Sequence, residues 1–273
     1  MSDTPRLTDR TALTRNRIRA LRDPALFLHE TACDETQDRL SMVNRDFTNP
    51  AIITPFPQVW ATVFPTAHIV PDTEVLDLQE GAYDLVIHAL ALHWADDPVG
   101  QLIQCRRALK PDGLLLALTF GGQTLHELRA ALGQAEAEVT GGMSPRVVPM
   151  GEIRELGALL QRAGFALPVA DSLPLNTSYS SALHLMRDLR AMGEANALHA
   201  RLRRPTQRAV LLRAAQIYAE SFGTDDGRIA ATFEMITLTA WSPDASQPQP
   251  LRPGSASQRL ADVLNTTELP LKD

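Results

Sequence analysis

The chain has 273 residues and a formal net charge of −6, with 44% apolar and 21% charged residues. Such a chain can bury a hydrophobic core without disulfides or metals, and its composition is ordinary for a globular protein. Its acidic balance excludes a nucleic-acid-binding protein that relies on bulk positive charge. No stretch approaches the roughly 18 uninterrupted apolar residues of a membrane span. Cys33 and Cys105 are far apart in unlike contexts, which predicts core residues in a reducing compartment and neither a disulfide nor a metal site.

The N-terminal segment is basic against this acidic background. Residues 1–22 contain six arginines and two aspartates. The segment has no apolar core of the signal-peptide type, which argues against secretion. Three interpretations remain open: a mitochondrial transit peptide, a solvated helix of a cytoplasmic protein, or an arm that docks on an acidic partner or an anionic membrane.

The first part of the chain predicts helices followed by two short strands. Residues 24–46 carry apolar side chains at helical spacing, and Pro24 suits a first helical turn. We therefore expect residues 1–46 to form N-terminal helices. Short strands are predicted at 50–54 and 67–70, with a helix of about three turns between the prolines that separate them.

The middle of the chain predicts a strand–helix–strand unit. Residues 83–92 are nearly continuous in apolar side chains, as in a buried parallel strand. Asp97 is a suitable N-cap for a helix that runs to about Leu109. Residues 110–113 predict a turn, and residues 114–120 predict a second buried strand. This order is that of a right-handed βαβ unit.

The remaining elements complete an α/β pattern. Helices are predicted at 123–139, 149–163, 181–192 and 206–221, and strands at 165–175 and 229–241. The fold class predicted is an α/β three-layer sandwich with a helical insertion before the last strand. We expect one domain at 47–241, in which helices at about 179–222 form a lid over the carboxyl ends of the strands, and an irregular tail at 242–273.

Several motifs carry a family resemblance. YDLV at 83–86, LALHW at 90–94 and RALKPDG at 107–113 resemble the fourth-to-fifth-strand segment of class I S-adenosylmethionine (SAM) methyltransferases. A narrower resemblance rests on GGQTLHELR at 121–129, GMSPR at 142–146, MRDLRAMGEAN at 186–196, ATFE at 231–234 and PGS at 253–255. These segments resemble the methyltransferase-like assembly factors of respiratory complex I and their α-proteobacterial relatives.

The resemblance implies a Rossmann-like class I methyltransferase fold and SAM as the cofactor. The mitochondrial members are known as arginine hydroxylases, and bacterial relatives are labelled SAM-dependent methyltransferases or likened to a malonyl-carrier-protein methyltransferase. The resemblance runs from about residue 20 to 262 and is weak between 47 and 82. It implies a protein partner, namely a subunit of a respiratory complex.

The glycine-rich cofactor loop is missing from the weak stretch. Class I enzymes place D/E-x-G-x-G-x-G after their first strand, because glycine lets the backbone approach SAM closely. Here residues 52–57 read IITPFP and contain no glycine. Only 33 residues separate Ala51 from Asp84, so we expect the first half of the fold to be shortened by one helix–strand step.

Three residues are candidates for contact with SAM. His93 and Trp94 follow the buried strand, where an indole can cover a purine face and an imidazole can reach a substrate proton. Asp72 ends the second short strand, and the resemblance implies that it binds the ribose hydroxyls. The structural alternatives are that Trp94 caps the core and that Pro71–Asp72 is only a turn. No residue is singled out as catalytic.

Three further residues are candidates for contact with a substrate or partner. Arg146 can clamp a carboxylate or phosphate, and Glu194 and Asn196 can face the pocket from the lid. Cap and turn roles are the alternative for each of them. The backbone N–H groups of residues 121–124, at the start of a predicted helix, form a weaker candidate site for an anion.

Two hypotheses follow from these observations. The favoured one is a degenerate methyltransferase that acts as an assembly factor or scaffold for a respiratory complex. It would reside in the bacterial cytoplasm and reach the inner membrane only through a partner. The alternative is an active SAM-dependent methyltransferase, or a SAM-using hydroxylase, that acts on a protein or carrier protein. A pocket of about 300 Å³ or more beside His93 would favour the enzyme, and filling of that space by Phe56 or Trp60 would favour the scaffold.

Overall fold

A computed structural model describes residues 6–248, 260–264 and 266. The chain divides into two units, Met1–Pro243 and Asp244–Asp273. In the second unit the Asp244 carboxylate accepts the Ser246 backbone N–H at 2.9 Å, and Leu260–Val263 form one helical turn. The PGS motif at 253–255 lies outside the described residues, as does most of the predicted tail.

The elements of the first unit follow the predicted order closely. The helices are α1 (Arg10–Ala20), α2 (Phe27–Met42), α3 (Pro57–Val63), α4 (Pro98–Ala108), α5 (His126–Thr140), α6 (Ile153–Arg162), α7 (Ala182–Ala191) and α8 (Arg208–Phe222). The strands are β1 (Pro50–Ile53), β2 (His68–Val70), β3 (Tyr83–Ala89), β4 (Leu109–Phe120), β5 (Ala166–Tyr179) and β6 (Ile229–Trp241). A single 3₁₀ turn, Leu92–Trp94, follows β3.

The six strands form one sheet in the order β2-β1-β3-β4-β6-β5. The pairs β1–β2, β1–β3 and β3–β4 are parallel. The pairs β4–β6 and β5–β6 are antiparallel. The half of the sheet before β3 consists of two strands of four and three residues, so the predicted shortening of the first half is confirmed.

Helices cover both faces of this sheet, which gives three layers. Leu85 and Ile87 of β3 belong to the apolar cluster on one face, which also contains residues of α2, α5, α7 and α8. Val86, between them, belongs to the cluster on the other face with residues of α4 and α6. Successive side chains of a strand point to opposite faces, and a strand covered on both faces is apolar throughout. The continuous apolar run of β3 is explained in this way.

Local sequence signals predicted α4 correctly and predicted one turn wrongly. The Asp97 side chain accepts the Gly100 backbone N–H at 2.8 Å and caps α4 as predicted. Residues 110–113, predicted as a turn, lie inside β4, so that prediction was wrong. The register of β3 with β4 shifts between Tyr83 and Leu85, and Asp112 has a φ of 57°. The Pro and Gly of this segment therefore produce an irregularity within the strand, which still pairs on both sides of it.

Helix α1 and the segment that follows α7 are in contact. Both α7 and α8 lie between β5 and β6 in the chain, which confirms the predicted insertion. The N-terminal segment bonds to the residues that follow α7, because the backbone N–H of Asp9 donates to Ala197 O at 2.8 Å. Leu13 of α1 is buried together with Trp94 and Leu198. No helix in the described ranges is both long enough and apolar enough to traverse a bilayer.

Candidate functional site

The carboxyl ends of the parallel strands meet at one edge of the sheet. The segments that leave β1, β2 and β3 begin at Thr54, Pro71 and Leu90, respectively. In doubly wound sheets this edge is where ligands bind. Five of the six candidate residues lie at this edge or on the segment that follows α7, and the sixth, Arg146, reaches the same region from the loop after α5.

His93 and Trp94 share one carboxylate. The Trp94 indole Nε1 donates to Glu194 Oε2 at 2.6 Å, and His93 Nε2 lies 3.1 Å from the same oxygen. The His93 side chain is 2% exposed and that of Glu194 is 14% exposed. The structure therefore joins two candidates from the cofactor group to one from the substrate group, across about 100 residues of chain.

The end of α7 holds Glu194 in place. The N–H of Glu194 donates to Leu189 O at 2.9 Å, and the N–H of Gly193 donates to Arg190 O at 3.3 Å. This pair of bonds is a Schellman motif, whose C′ residue adopts a left-handed conformation that suits glycine. Gly193 has a φ of 77°. Burial raises the pKa of Glu194, but His93, the Arg17 guanidinium and the Trp94 N–H outweigh that effect and lower the pKa overall.

Asp72 is bound by two arginines of α1. Its Oδ1 lies 2.5 Å from Arg17 Nη1 and its Oδ2 lies 3.2 Å from Arg10 Nη1. Arg10 Nη1 also donates to the Asp72 backbone carbonyl at 3.0 Å. The Asp72 side chain is 6% exposed. Both carboxylate oxygens therefore already accept a charged hydrogen bond from within the chain.

Two large side chains from the glycine-free turn and the helix after it pack against His29. Phe56 and Trp60 are both fully buried. The ring of Phe56 lies 5.0 Å, centroid to centroid, from the imidazole of His29. Trp60 Nε1 donates to His29 Nδ1 at 3.5 Å. Burial is the main reason that the pKa of His29 falls to about 4, so this ring is neutral at neutral pH.

Three cavities surround these residues. A cavity of about 710 Å³ opens between α1 and the ends of β1 and β2, with Asp72 in its wall. A cavity of about 240 Å³ lies beside His93 and Thr119. A third, of about 230 Å³, is mostly apolar, and Trp94 and Glu194 line it together with Arg146 and Asn196. All three of the predicted substrate or partner residues therefore border one cavity.

Arg146 is engaged within the chain. Its Nε and Nη2 donate to the two oxygens of Glu136 at 2.9 and 2.6 Å, and its Nη1 donates to Thr206 Oγ1 at 2.9 Å. Arg146 is also the main cause of a fall in the pKa of Glu136 to about 2. Asn196 Nδ2 donates to Pro145 O at 2.8 Å and so ties the segment after α7 to this loop. The expected free clamp for an anion is therefore an internal ion pair.

Two backbone N–H groups of the segment after β4 are also engaged, those of Gly121 and Gln123. Gly121 N donates to Glu234 O at 2.8 Å, and Gln123 N donates to Glu234 Oε2 at 2.9 Å. The helix that follows begins only at His126. The Glu234 carboxylate thus occupies the position where the sequence predicted an external anion.

Sequence reasoning missed the partners of these side chains. Arg10, Arg17 and His29 complete the buried cluster around Asp72 and Glu194, and Glu136 neutralises Arg146. The acid-poor, arginine-rich N-terminal segment was the available signal for Arg10 and Arg17. Helical periodicity does not mark Glu136, because its partner lies ten residues away in a loop.

Known proteins are similar to this chain in sequence. Residues 19–117 match a family model described as a methyltransferase domain. The chain is 39% identical over 199 residues to the mitochondrial arginine-hydroxylase NDUFAF5 of Danio rerio. The matched region covers 73% of this chain and 62% of that protein. The chain is 38% identical over 202 residues to the Homo sapiens protein of the same name. That match covers 74% of this chain and 58% of the human protein.

The resemblance predicted from the motifs is confirmed. The chain spans about 60% of the length of these curated relatives. It is also 38% identical over 174 residues to a malonyl-[acyl-carrier protein] O-methyltransferase of Methylovorus sp. (strain MP688), with 64% of this chain and 56% of that one covered. A crystal structure of a Bacillus halodurans C-125 protein assigned to the methyltransferases superposes with a TM-score of 0.50 at 15% identity, over 77% of this chain and 98% of the other. The fold is that of the class I methyltransferases.

Proposed function

We propose that this chain is a methyltransferase-fold assembly factor or scaffold for a respiratory complex, and that it does not hold SAM as class I enzymes do. The observation that carries the proposal is the engagement of both Asp72 oxygens by Arg10 and Arg17. A ribose diol at this position would have to displace two charged hydrogen bonds, each stronger than a neutral one.

The turn after β1 supports the same proposal. The segment Thr54–Pro57 contains two prolines and no glycine, and proline fixes φ and removes a backbone donor. Phe56 and Trp60 are fully buried against His29. These residues support the proposal that the chain does not hold SAM in the position that class I enzymes use.

The partner and location follow from the resemblance alone. The proposed partner is a protein subunit of a respiratory complex. A bacterial cytoplasmic location, with attachment to the inner membrane through that partner, is part of the proposal. Helices α7 and α8 would form a lid over the apolar cavity of about 230 Å³.

One observation favours the alternative of an active enzyme. The cavity of about 710 Å³ beside Asp72 lies within the range of ligand pockets. A SAM-dependent methyltransferase or hydroxylase could bind its cofactor there in an altered pose and act on a protein or carrier protein. The similarity to both arginine hydroxylases and a malonyl-carrier-protein methyltransferase is consistent with either substrate class.

Isothermal titration calorimetry with SAM and S-adenosylhomocysteine separates the two proposals. A class I methyltransferase with an intact glycine loop serves as the positive control in the same buffer. We expect no heat from this chain up to millimolar ligand. Micromolar binding that is lost in Asp72→Asn and His93→Ala would overturn the scaffold proposal and establish the cofactor site.

A genetic experiment tests the assembly role directly. Deletion of the gene in its host should lower the NADH:ubiquinone oxidoreductase activity of isolated membranes, and the wild-type gene should restore it. Unchanged activity in the deletion strain would contradict the assembly role.

A further inference from the structure

The cavity of about 710 Å³ is a groove with two distinct walls. One wall is a single face of α1 and the residue after it, because the lining residues recur at helical spacing: Arg10, Leu13, Thr14, Arg17, Ile18 and Leu21. The other wall consists of the turn after β1 and of residues 69–75. The groove is therefore built by the same helix that binds Asp72.

Exposed apolar side chains lie at this groove. Ile18 is 61% exposed, Leu21 is 53% exposed and Val75 is 79% exposed. All three line the one cavity, although they come from both of its walls. Single exposed apolar residues need no explanation, but a group that surrounds a concavity is typical of an interaction site.

Positive charge surrounds the apolar group. Arg15 lies three residues before Ile18 on α1 and is its neighbour on the helix surface. Arg22 lies in the turn just after the end of α1. Both arginines are exposed, and within the part of the chain that the structure describes neither forms an ion pair. Arg10 and Arg17 line the groove itself. Asp72 and Glu74 balance these two arginines in the lining, so the excess positive charge lies at the rim, with Arg15 and Arg22.

We propose that this groove binds an acidic segment of a partner protein, whose apolar side chains enter between Ile18, Leu21 and Val75. The inference rests on the proposed scaffold function, because it names the chemistry of the partner. Charge complementarity selects an acidic occupant. A concave site with apolar side chains on both walls suits an inserted peptide chain better than a flat lipid surface.

Fluorescence anisotropy with a labelled peptide of alternating Glu and Leu tests the proposal. Two control peptides carry Ser in place of every Glu or in place of every Leu. We expect the Glu-Leu peptide to bind the full chain, and each control peptide to bind about tenfold more weakly or worse. Added salt should weaken the binding of the Glu-Leu peptide, because exposed charges are screened.

Variants of the chain locate the site. The double variant R15E/R22E should weaken binding of the Glu-Leu peptide by about tenfold or more, and I18S/V75S should do the same. The matched control is R154E/R187E, which makes the same charge change at two arginines that are exposed on α6 and α7 and should leave the affinity unchanged. Circular dichroism confirms that each variant is folded.

Three results would overturn the inference: no binding of the Glu-Leu peptide, equal weakening by both charge-reversal pairs, or binding to phosphatidylserine vesicles in place of the peptide. The last result would assign the groove to a membrane surface. The calorimetric test with SAM is independent of these measurements. Peptide binding together with SAM binding would reject the scaffold proposal alone, and absence of both would reject this inference alone.

Discussion

Arg17 and Asp72 meet at 2.5 Å across 55 residues of chain, and their side chains are only 12% and 6% exposed. The pair joins α1 to the end of β2, the edge strand of the sheet. The pair therefore links the two walls of the groove. It also determines the environment of Asp72, the residue that the family resemblance assigned to the cofactor ribose.

Replacement of Arg17 should destabilise the fold. Arg17→Gln leaves the buried Asp72 carboxylate with Arg10 as its only charged partner among the residues that the structure describes. Removal of one partner from a buried ion pair usually costs about 3 to 5 kcal/mol. Because Arg10 still binds Asp72, we expect the free energy of unfolding to fall by only about 2 to 3 kcal/mol. Urea denaturation measures the change. Arg15→Gln, on the exposed side of the same helix, should alter stability by about 0.5 kcal/mol or less, and equal effects of the two variants would contradict the prediction.

Replacement of Gly193 should cost more stability than replacement of a comparable glycine. Gly193 and Gly141 both follow a helix with positive φ, 77° and 73°, so alanine at either site adds about 1 to 2 kcal/mol of backbone strain. A Cβ on Gly193 would also lie 3.1 Å from Arg17 Cγ, whereas one on Gly141 would meet nothing within 4 Å. Thermal or urea unfolding should show the larger loss for Gly193→Ala. If Gly193→Ala loses no more stability than Gly141→Ala, the Arg17 side chain moves away from the new methyl group without measurable cost.

The Glu136–Arg146 pair should give the fold a stability that is lost in acid. The pKa of Glu136 is about 2 in the folded protein, against 4.5 for the unperturbed group. A carboxylate with a lowered pKa stabilises the folded state above the unfolded pKa, and the effect disappears as pH falls from about 4.5 towards 2. Wild type should exceed Glu136→Gln by about 3 kcal/mol at pH 7, and this difference should shrink below pH 4.5. Glu138→Gln, an exposed change on the same helix, should show little effect at any pH.

His29 should destabilise the fold at mildly acidic pH. Its pKa falls from 6.5 to about 4 on burial. The unfolded chain therefore binds a proton that the folded protein does not, and stability declines as pH falls from about 6.5 to about 4. The His29 Hε1 resonance in NMR spectra should not titrate above about pH 5, and His29→Gln should flatten the decline in that window. Titration of the ring near pH 6.5 would contradict its buried, neutral state.

Patterns that are local in sequence predicted most of the fold. The apolar runs of β3 and β4, the Asp97 cap and the helical spacing of α7 and α8 each depend on neighbouring residues, and each was placed within a few positions. The segment at 110–113 misled because Pro and Gly also occur in strand irregularities. The alternation of helices and buried strands was enough to predict the three layers.

The candidate site was predictable only in part. The positions of His93 and Asp72 near one edge follow from the strand order, and Glu194 was expected to face the pocket from the helical insertion, so their proximity could be anticipated. Their bonding partners could not, because Arg17, Asp72 and Glu194 come together through the path of α1 and no short motif links them. Arg146 illustrates the same limit, since a free clamp and an ion pair with Glu136 have the same local sequence.

The unequal length of the strands has a consequence for how the molecule comes apart. β2 pairs with β1 through only three residues, whereas β5 and β6 pair along most of their length. Short edge strands with few ladder bonds open in local fluctuations before long ones do. The backbone amides of β2 should therefore exchange with solvent ahead of those of β6. Each such opening would release Asp72 from α1, so solvent can reach the buried arginines while the rest of the sheet stays intact.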